Sequence, residues 1–353
     1  NADSEMNAVV KDDSFAGACE QISLDTLDAC MDRFQWTQIA FVKIDAEGEE
    51  ANILKGGTRF FAAQSPLVMY EVKAGADYHL ELVDAFSDMG YNSYRLVPGL
   101  DILVPFNPHQ ELPDGSLLNL FCCKKDRANH LRKQGVLVSQ EDAAEVADGS
   151  HLHTPGSPCN FISFVERKAF CASLIPQWKQ PSISEKAAAS IGILNSYAIS
   201  QSREHAPIER FLALKATYEQ LCNSCQHEPT HGRLASLGRV AREIGARDVA
   251  IEALGVLVKY LTMDSHPDLS EPFLPADSRF DDLSPGDATE KWFVAGTLEA
   301  LERAEAYSSF YSGASRRNRL RVIADLGFAS QEMLRRLELV NARFPDPVAA
   351  SRI

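Results

Sequence analysis

The sequence lacks an uncharged apolar run near the ~20 residues that a membrane-spanning helix needs, which leads us to expect a soluble protein that does not cross a membrane. It lacks positive charge in net terms: 35 basic residues face 49 acidic ones, for a formal charge of −14. Without a positive field there is little to attract phosphate, so nucleic acid is not the expected partner. It also lacks an N-terminal apolar segment flanked by Lys or Arg, so a signal peptide is not expected in these residues. Its eight cysteines are scattered through a long chain rather than set out as a disulfide framework, a pattern that fits reduced thiols in the cytoplasm. What remains is a chain of 353 residues, 45% hydrophobic and 24% charged, long enough for two packed domains.

The strongest local pattern is Ile39 to Gly57 with its sequel, Ser65 to Lys73. An apolar run over 38–44, broken only by Lys43, reads as a strand covered on both faces and ends in Asp45-Ala46-Glu47-Gly48-Glu49-Glu50. A short helix, from about Glu49 to Leu54, closes on Gly56-Gly57, residues suited to a left-handed C-cap. Pro66 opens a second strand over 67–72 that carries Glu71. Strand, helix, strand, with an acid at each strand end, is the layout of an active edge in an open α/β sheet.

Upstream, Ser23 or Asp25 is the expected N-cap of a short helix running to about Phe34. Downstream, residues 78–89 put Leu80, Leu82, Val83, Phe86 and Met89 largely on one helical face, and Gly90 stops them. Strands are expected over 91–97, 101–105 and 117–124, with turns at Pro98-Gly99 and Asp114-Gly115. Residues 126–182 read as a linker with some helix. From 183 to 353 the pattern is helical, near 183–201, 207–224, 231–245, 247–263, 287–311 and 315–343, interrupted by a Pro-rich loop over 264–286. Small residues between 233 and 261 have the texture of tetratricopeptide-type helix hairpins without a clean 34-residue period, and an irregular bundle is the alternative. The expected fold is thus α/β over 1–125, a partial doubly wound sheet, followed by an all-α domain.

The segments Leu24-Asp25-Thr26-Leu27, Lys43 to Glu50, Leu54-Lys55-Gly56, Pro66 to Glu71, Gly90-Tyr91 and Asn119 to Lys124 together resemble the FkbM-type methyltransferases over roughly 20–125. The resemblance implies a Rossmann-like sheet, S-adenosylmethionine as methyl donor, and an oxygen of a small molecule or glycan as acceptor. The family's glycine-rich cofactor turn and its ribose-binding acid are not found upstream of residue 20. The stretch therefore reads as the C-terminal half of a catalytic domain, and the strand at 38–44 would be a bare apolar edge. The expectation is that the chain is a fragment, or that another chain completes the sheet, which leaves a homo-oligomer open.

Carboxylates at the ends of adjacent strands point into the crevice where ligands lie in such sheets. Asp45, Glu47 and Glu71 are the catalytic candidates, Asp45 as base or cofactor-side contact. Asp45 and Gly48 are the cofactor-binding candidates, with Gly48 allowing a tight turn. His79, just past the second strand, is the candidate for substrate binding. Helix-dipole compensation is the alternative role of Asp45 and Glu47, and Glu50 is expected to pair with a neighbour along its helix. No metal is assigned, although Asp45 and Glu71 with Glu47 or His79 would make an oxygen-rich set. Cys222, Cys225, His227 and His231 suggest zinc by type but crowd into ten residues, so helix packing is preferred. Cys122 and Cys123 should point to opposite faces of a strand. Trp178, Trp292, Tyr307, Phe310 and Tyr311 are expected in the core. The alternative to an enzyme is a helical interaction protein that retains a degenerate methyltransferase half, with the helical part binding a protein partner or covering the crevice.

Overall fold

The computed structural model describes residues 23–46, 48–74, 77–108, 119–147, 160–180, 184–263, 266–306 and 313–344. The chain divides into two compact units, 1–97 with 101–152, and 98–100 with 153–353. The first is an α/β unit around a mixed sheet and the second is helical, as the sequence pattern implies.

In the first unit, helix α1 (Leu27–Phe34) begins at Thr26, whose hydroxyl accepts from the Ala29 N–H at 3.1 Å. Neither Ser23 nor Asp25 is the cap; Asp25 Oδ1 accepts from the Thr26 N–H instead. Strand β1 (Phe41–Ile44) leads to α2 (Glu50–Lys55) and then to α3 (Thr58–Ala63), a short helix that the sequence reading did not foresee. Gly56 and Gly57 have φ of −81° and −123°, so neither is a left-handed cap. They are small because α1 passes over them: an added Cβ on Gly57 would lie 2.9 Å from Leu27 Cδ1, and one on Gly56 would lie 3.2 Å from Thr26 Cγ2. Asp28 fastens this crossing, its N–H donating to the Gly56 carbonyl and its Oδ1 accepting from the Phe60 N–H at 2.8 Å.

Strand β2 (Leu67–Glu71) follows, then a small hairpin of β3 (Lys73–Ala74) and β4 (Asp77–Tyr78), then α4 (Glu81–Asp88). Strands β5 (Asn92–Val97), β6 (Ile102–Pro105) and β7 (Asn119–Cys123) complete the sheet, and α5 (Lys125–Lys133) and α6 (Gln140–Ala147) end the unit. The strand order is β1-β2-β7-β5-β6; β1 and β2 are parallel and the other neighbours antiparallel. The expected turn at Asp114-Gly115 lies outside the described residues.

Both faces of the sheet carry a core. One holds Val68, Tyr70, Leu120 and Cys122 against Phe60, Phe61, Leu82, Phe86 and Tyr91; the other holds Tyr94, Leu103 and Cys123 against Ala128 and Leu137. Cys122 and Cys123 thus fall on opposite faces, and burying each of the large aromatics contributes on the order of 1.5–3 kcal/mol. Residues 126–133, at the start of the stretch expected as a linker with some helix, belong to α5, with Ala128 seated on the second face. That face is left open at β1: Phe41 and Lys43 are exposed, and of this strand only Ile44 is buried. Among the described residues the expected cover on both sides is found on one face only, where Val42 and Ile44 pack, and β1 is an edge of the sheet, as expected of 38–44.

The second unit begins with α7 (Phe161–Val165), a 3-10 turn (Ala169–Ser173) and α8 (Ile175–Trp178), then long helices α9 (Glu185–Gln201), α10 (Pro207–His227), α11 (His231–Ile244), α12 (Arg247–Met263) and α13 (Thr289–Glu305). The helix expected over 315–343 is two, α14 (Arg317–Asp325) and α15 (Gln331–Arg343), broken at Gly327 with φ of 85°. Trp178 and Trp292 are core residues as expected; Tyr307, Phe310 and Tyr311 lie outside the described residues. The Pro-rich loop is not a surface link: Phe273, Leu274 and Phe280 are buried in it. Three of its acids are neutralised by arginines from the helices. Glu271 accepts from Arg233 Nε at 2.7 Å, and Asp281 takes Arg239 at 2.6 and 3.0 Å. Asp277 takes Arg303 at 2.5 Å.

Candidate functional site

The site is built by register. In the parallel pair, Phe41 faces Leu67, Lys43 faces Met69 and Ile44 faces Tyr70, so one further step sets Asp45 beside Glu71 at the C-terminal ends of two adjacent strands. Alternation puts Lys43, Asp45 and Glu71 on the same side of the sheet, the side that is open at β1.

Lys43 Nζ lies 2.7 Å from Asp45 Oδ2, with both side chains more than a third exposed. The Glu71 carboxyl lies at the neighbouring strand end and acts on that of Asp45. The Lys43 contact, opposed by burial and helped by Glu71, holds Asp45 below the usual carboxylate range. The same contact raises the Lys43 ammonium above the ordinary lysine value. The two acids expected to share the edge are therefore brought together, with a cation beside them.

The turn after Asp45 needs Gly48, whose φ of 97° is a conformation that side-chain-bearing residues rarely adopt. Glu50, expected to pair along its helix, is instead 7% exposed and folds back: its Oε1 accepts from the Ala46 N–H at 2.9 Å. It thereby pins the residue next to Asp45. Glu47 lies outside the described residues.

His79 returns to the same end of β2. Its N–H donates to the carbonyl of Val72 at 2.8 Å, across the base of the small hairpin. Its ring is turned to α4, with Nδ1 2.8 Å from Glu81 Oε1, a contact that holds the Glu81 carboxyl below its usual range. The backbone of His79 is thus near Glu71 in the chain path, while its ring is engaged elsewhere.

Residues 2–93 match the family model of the methyltransferase FkbM domain. The FkbM match contains β1, β2, Asp45, Gly48, Glu71 and His79, and it ends inside β5, so β7 and α5 lie beyond it. It supports methyl transfer in general. No curated protein and no solved structure matched the chain.

Among the described residues, no group of three or more His, Cys, Asp or Glu side chains is gathered as metal ligands would be. Cys222 and Cys225 are half-buried on α10, and burial pushes the Cys225 thiol up to about 12, which keeps it protonated. Among the described residues no helix is long and apolar enough to cross a membrane.

Proposed function

We propose that this chain takes part in methyl transfer from S-adenosylmethionine to an oxygen of a small molecule or glycan. The observation that carries the reading is the Asp45–Glu71 pair at the tips of two adjacent parallel strands, inside the segment that matches the FkbM domain. In such a transfer the acceptor oxygen attacks the methyl carbon, the carbon–sulfur bond breaks with its electron pair going to sulfur, and the hydroxyl proton leaves. The protein supplies proximity, charge and a destination for the proton. As the new carbon–oxygen bond forms, the hydroxyl becomes strongly acidic, so a carboxylate that titrates low suffices to take the proton. Asp45 serves in that role or as the anion facing the cofactor's sulfonium, and Gly48 lets the backbone turn closely past the cofactor. Glu47 stands as a further catalytic candidate, and His79 contributes to the acceptor side.

The helical unit serves a protein partner, and the cytoplasm is the compartment that suits free thiols. Calorimetric titration of the full-length protein with S-adenosylmethionine and with its demethylated product tests the reading. Saturable binding, weakened tenfold or more in Asp45→Asn, supports it. No binding by the full-length protein removes the enzyme reading and leaves a helical interaction protein with a degenerate methyltransferase half.

A further inference from the structure

The turn that follows Asp45 is tied from two sides. The Ala46 carbonyl accepts from the Glu49 N–H at 3.1 Å, which closes a tight turn around Gly48. The Ala46 N–H donates to Glu50 Oε1 at 2.9 Å. That N–H belongs to the planar peptide unit joining Asp45 to Ala46, so the bond fixes this plane and with it the backbone angle ψ of Asp45. Glu50 opens α2 and is 7% exposed, while Ala51 and Asn52 after it are exposed. Among the described residues no cation is paired with its carboxyl. Burying a carboxyl without a cation works against stability, so an apolar residue of the same length would serve the fold better. What the acid supplies here is an acceptor for the loop N–H beside Asp45.

We propose that Glu50 is a positioning residue of this edge: by holding the Asp45–Ala46 peptide it sets the course of the backbone from Asp45 to Gly48 before the methyl donor binds. The proposal rests on the reading of this edge as a methyl-transfer site, and it adds to that site a buried residue that acts through the backbone. A loop that must be ordered on binding lowers affinity by the cost of ordering it, and a loop already held does not. The acceptor oxygen is the operative feature. Glu50→Gln keeps it, in an amide carbonyl on a side chain of the same length. Glu50→Asp keeps the acid but is one methylene shorter and falls short of the Ala46 N–H. Glu50→Met keeps the length and fills the site without that acceptor.

The test follows hydrogen exchange of the Ala46 amide and calorimetric titration with S-adenosylmethionine, both on the full-length wild type and these variants. Exchange at Ala46 should be about tenfold or more faster in Glu50→Met and Glu50→Asp, and near the wild-type rate in Glu50→Gln. The dissociation constant should rise about tenfold in the same two variants and stay within about threefold in Glu50→Gln. A merely structural residue would lower the thermal midpoint of Glu50→Met along with its affinity. Here the midpoint should hold or rise, because an apolar side chain replaces a buried acid. Should Glu50→Met fail to fold, Glu50→Asp carries the comparison. Exchange at Ala46 unmoved in both, an equal loss of binding in Glu50→Gln, or donor binding that survives the faster exchange overturns the proposal. No binding by the wild type, with the difference in exchange present, ends the methyl-transfer reading and leaves the hold of Glu50 on the turn standing.

Discussion

Gly238 and Gly255 lie on the neighbouring helices α11 and α12, and replacing each by alanine should move stability in opposite directions. In a helix interior, alanine is favoured over glycine by about 0.8–1.0 kcal/mol. At Gly255 nothing lies within 4 Å of an added Cβ, so that gain stands alone. At Gly238 the added Cβ would lie 2.6 Å from both Cγ and Cδ2 of Leu254, which is fully buried. Leu254 cannot swing aside without displacing its own neighbours, and overpacking of this kind costs about 1–3 kcal/mol. The expected net is a loss of about 0–2 kcal/mol for Gly238→Ala against a gain near 1 kcal/mol for Gly255→Ala. For a unit of this size, 1 kcal/mol corresponds to roughly 2–4 °C in Tm. Thermal melts followed by far-ultraviolet circular dichroism should rank Gly255→Ala above the wild type and Gly238→Ala at or below it. A Gly238→Ala protein as stable as Gly255→Ala would refute the close approach of α11 to α12.

Two other outcomes are expected from the structure. Gly48→Ala has free space for its methyl group but must hold a φ near 97°, which should cost about 1–2 kcal/mol at the turn; proteolysis of native protein should accelerate at residues 46–49 while the melt of the helical unit stays unchanged. For Asp277, burial opposes ionisation, but Arg303 and Arg242 outweigh it and hold the carboxyl below its ordinary value. A lowered folded value adds stability that is fully present above the unfolded value, near pH 4, and is lost as pH falls through the folded one. The helical unit should therefore lose stability below about pH 4, and Asp277→Asn should be less stable at pH 7 with a flatter acid limb in urea titrations from pH 2 to 7.

Much of the candidate site was legible because it is local. An apolar run, an abrupt block of acids, a glycine pair and a second run that carries Glu71 declare two strands and their tips without reference to the rest of the chain. Gly48 could likewise be assigned to a tight turn, and its φ agrees. Other features depend on partners remote in sequence. Gly56 and Gly57 suited a helix cap, but their smallness serves the crossing of α1, some thirty residues earlier. The open face of β1 could not be inferred from its apolar letters, since exposure is set by what packs beside it. The Pro-rich loop looked like a connection for the same reason. Its acids are ordinary surface letters until Arg233, Arg239 and Arg303, each more than twenty residues away, are folded against them. Gly327 was passed over because the helical period continues on both sides of it, and only its positive φ shows the break.

The central claim is that the edge formed by Asp45 and Glu71 performs methyl transfer. The most direct test incubates the full-length protein with methyl-labelled S-adenosylmethionine and small-molecule or glycan extracts, and measures label recovered in the acceptor fraction beside Asp45→Asn. The account predicts label in the wild-type reaction and a reduction of about 10²-fold or more in Asp45→Asn, the lower range for loss of a positioned proton acceptor. Equal transfer by the two proteins, or no label from the full-length wild type, would contradict it.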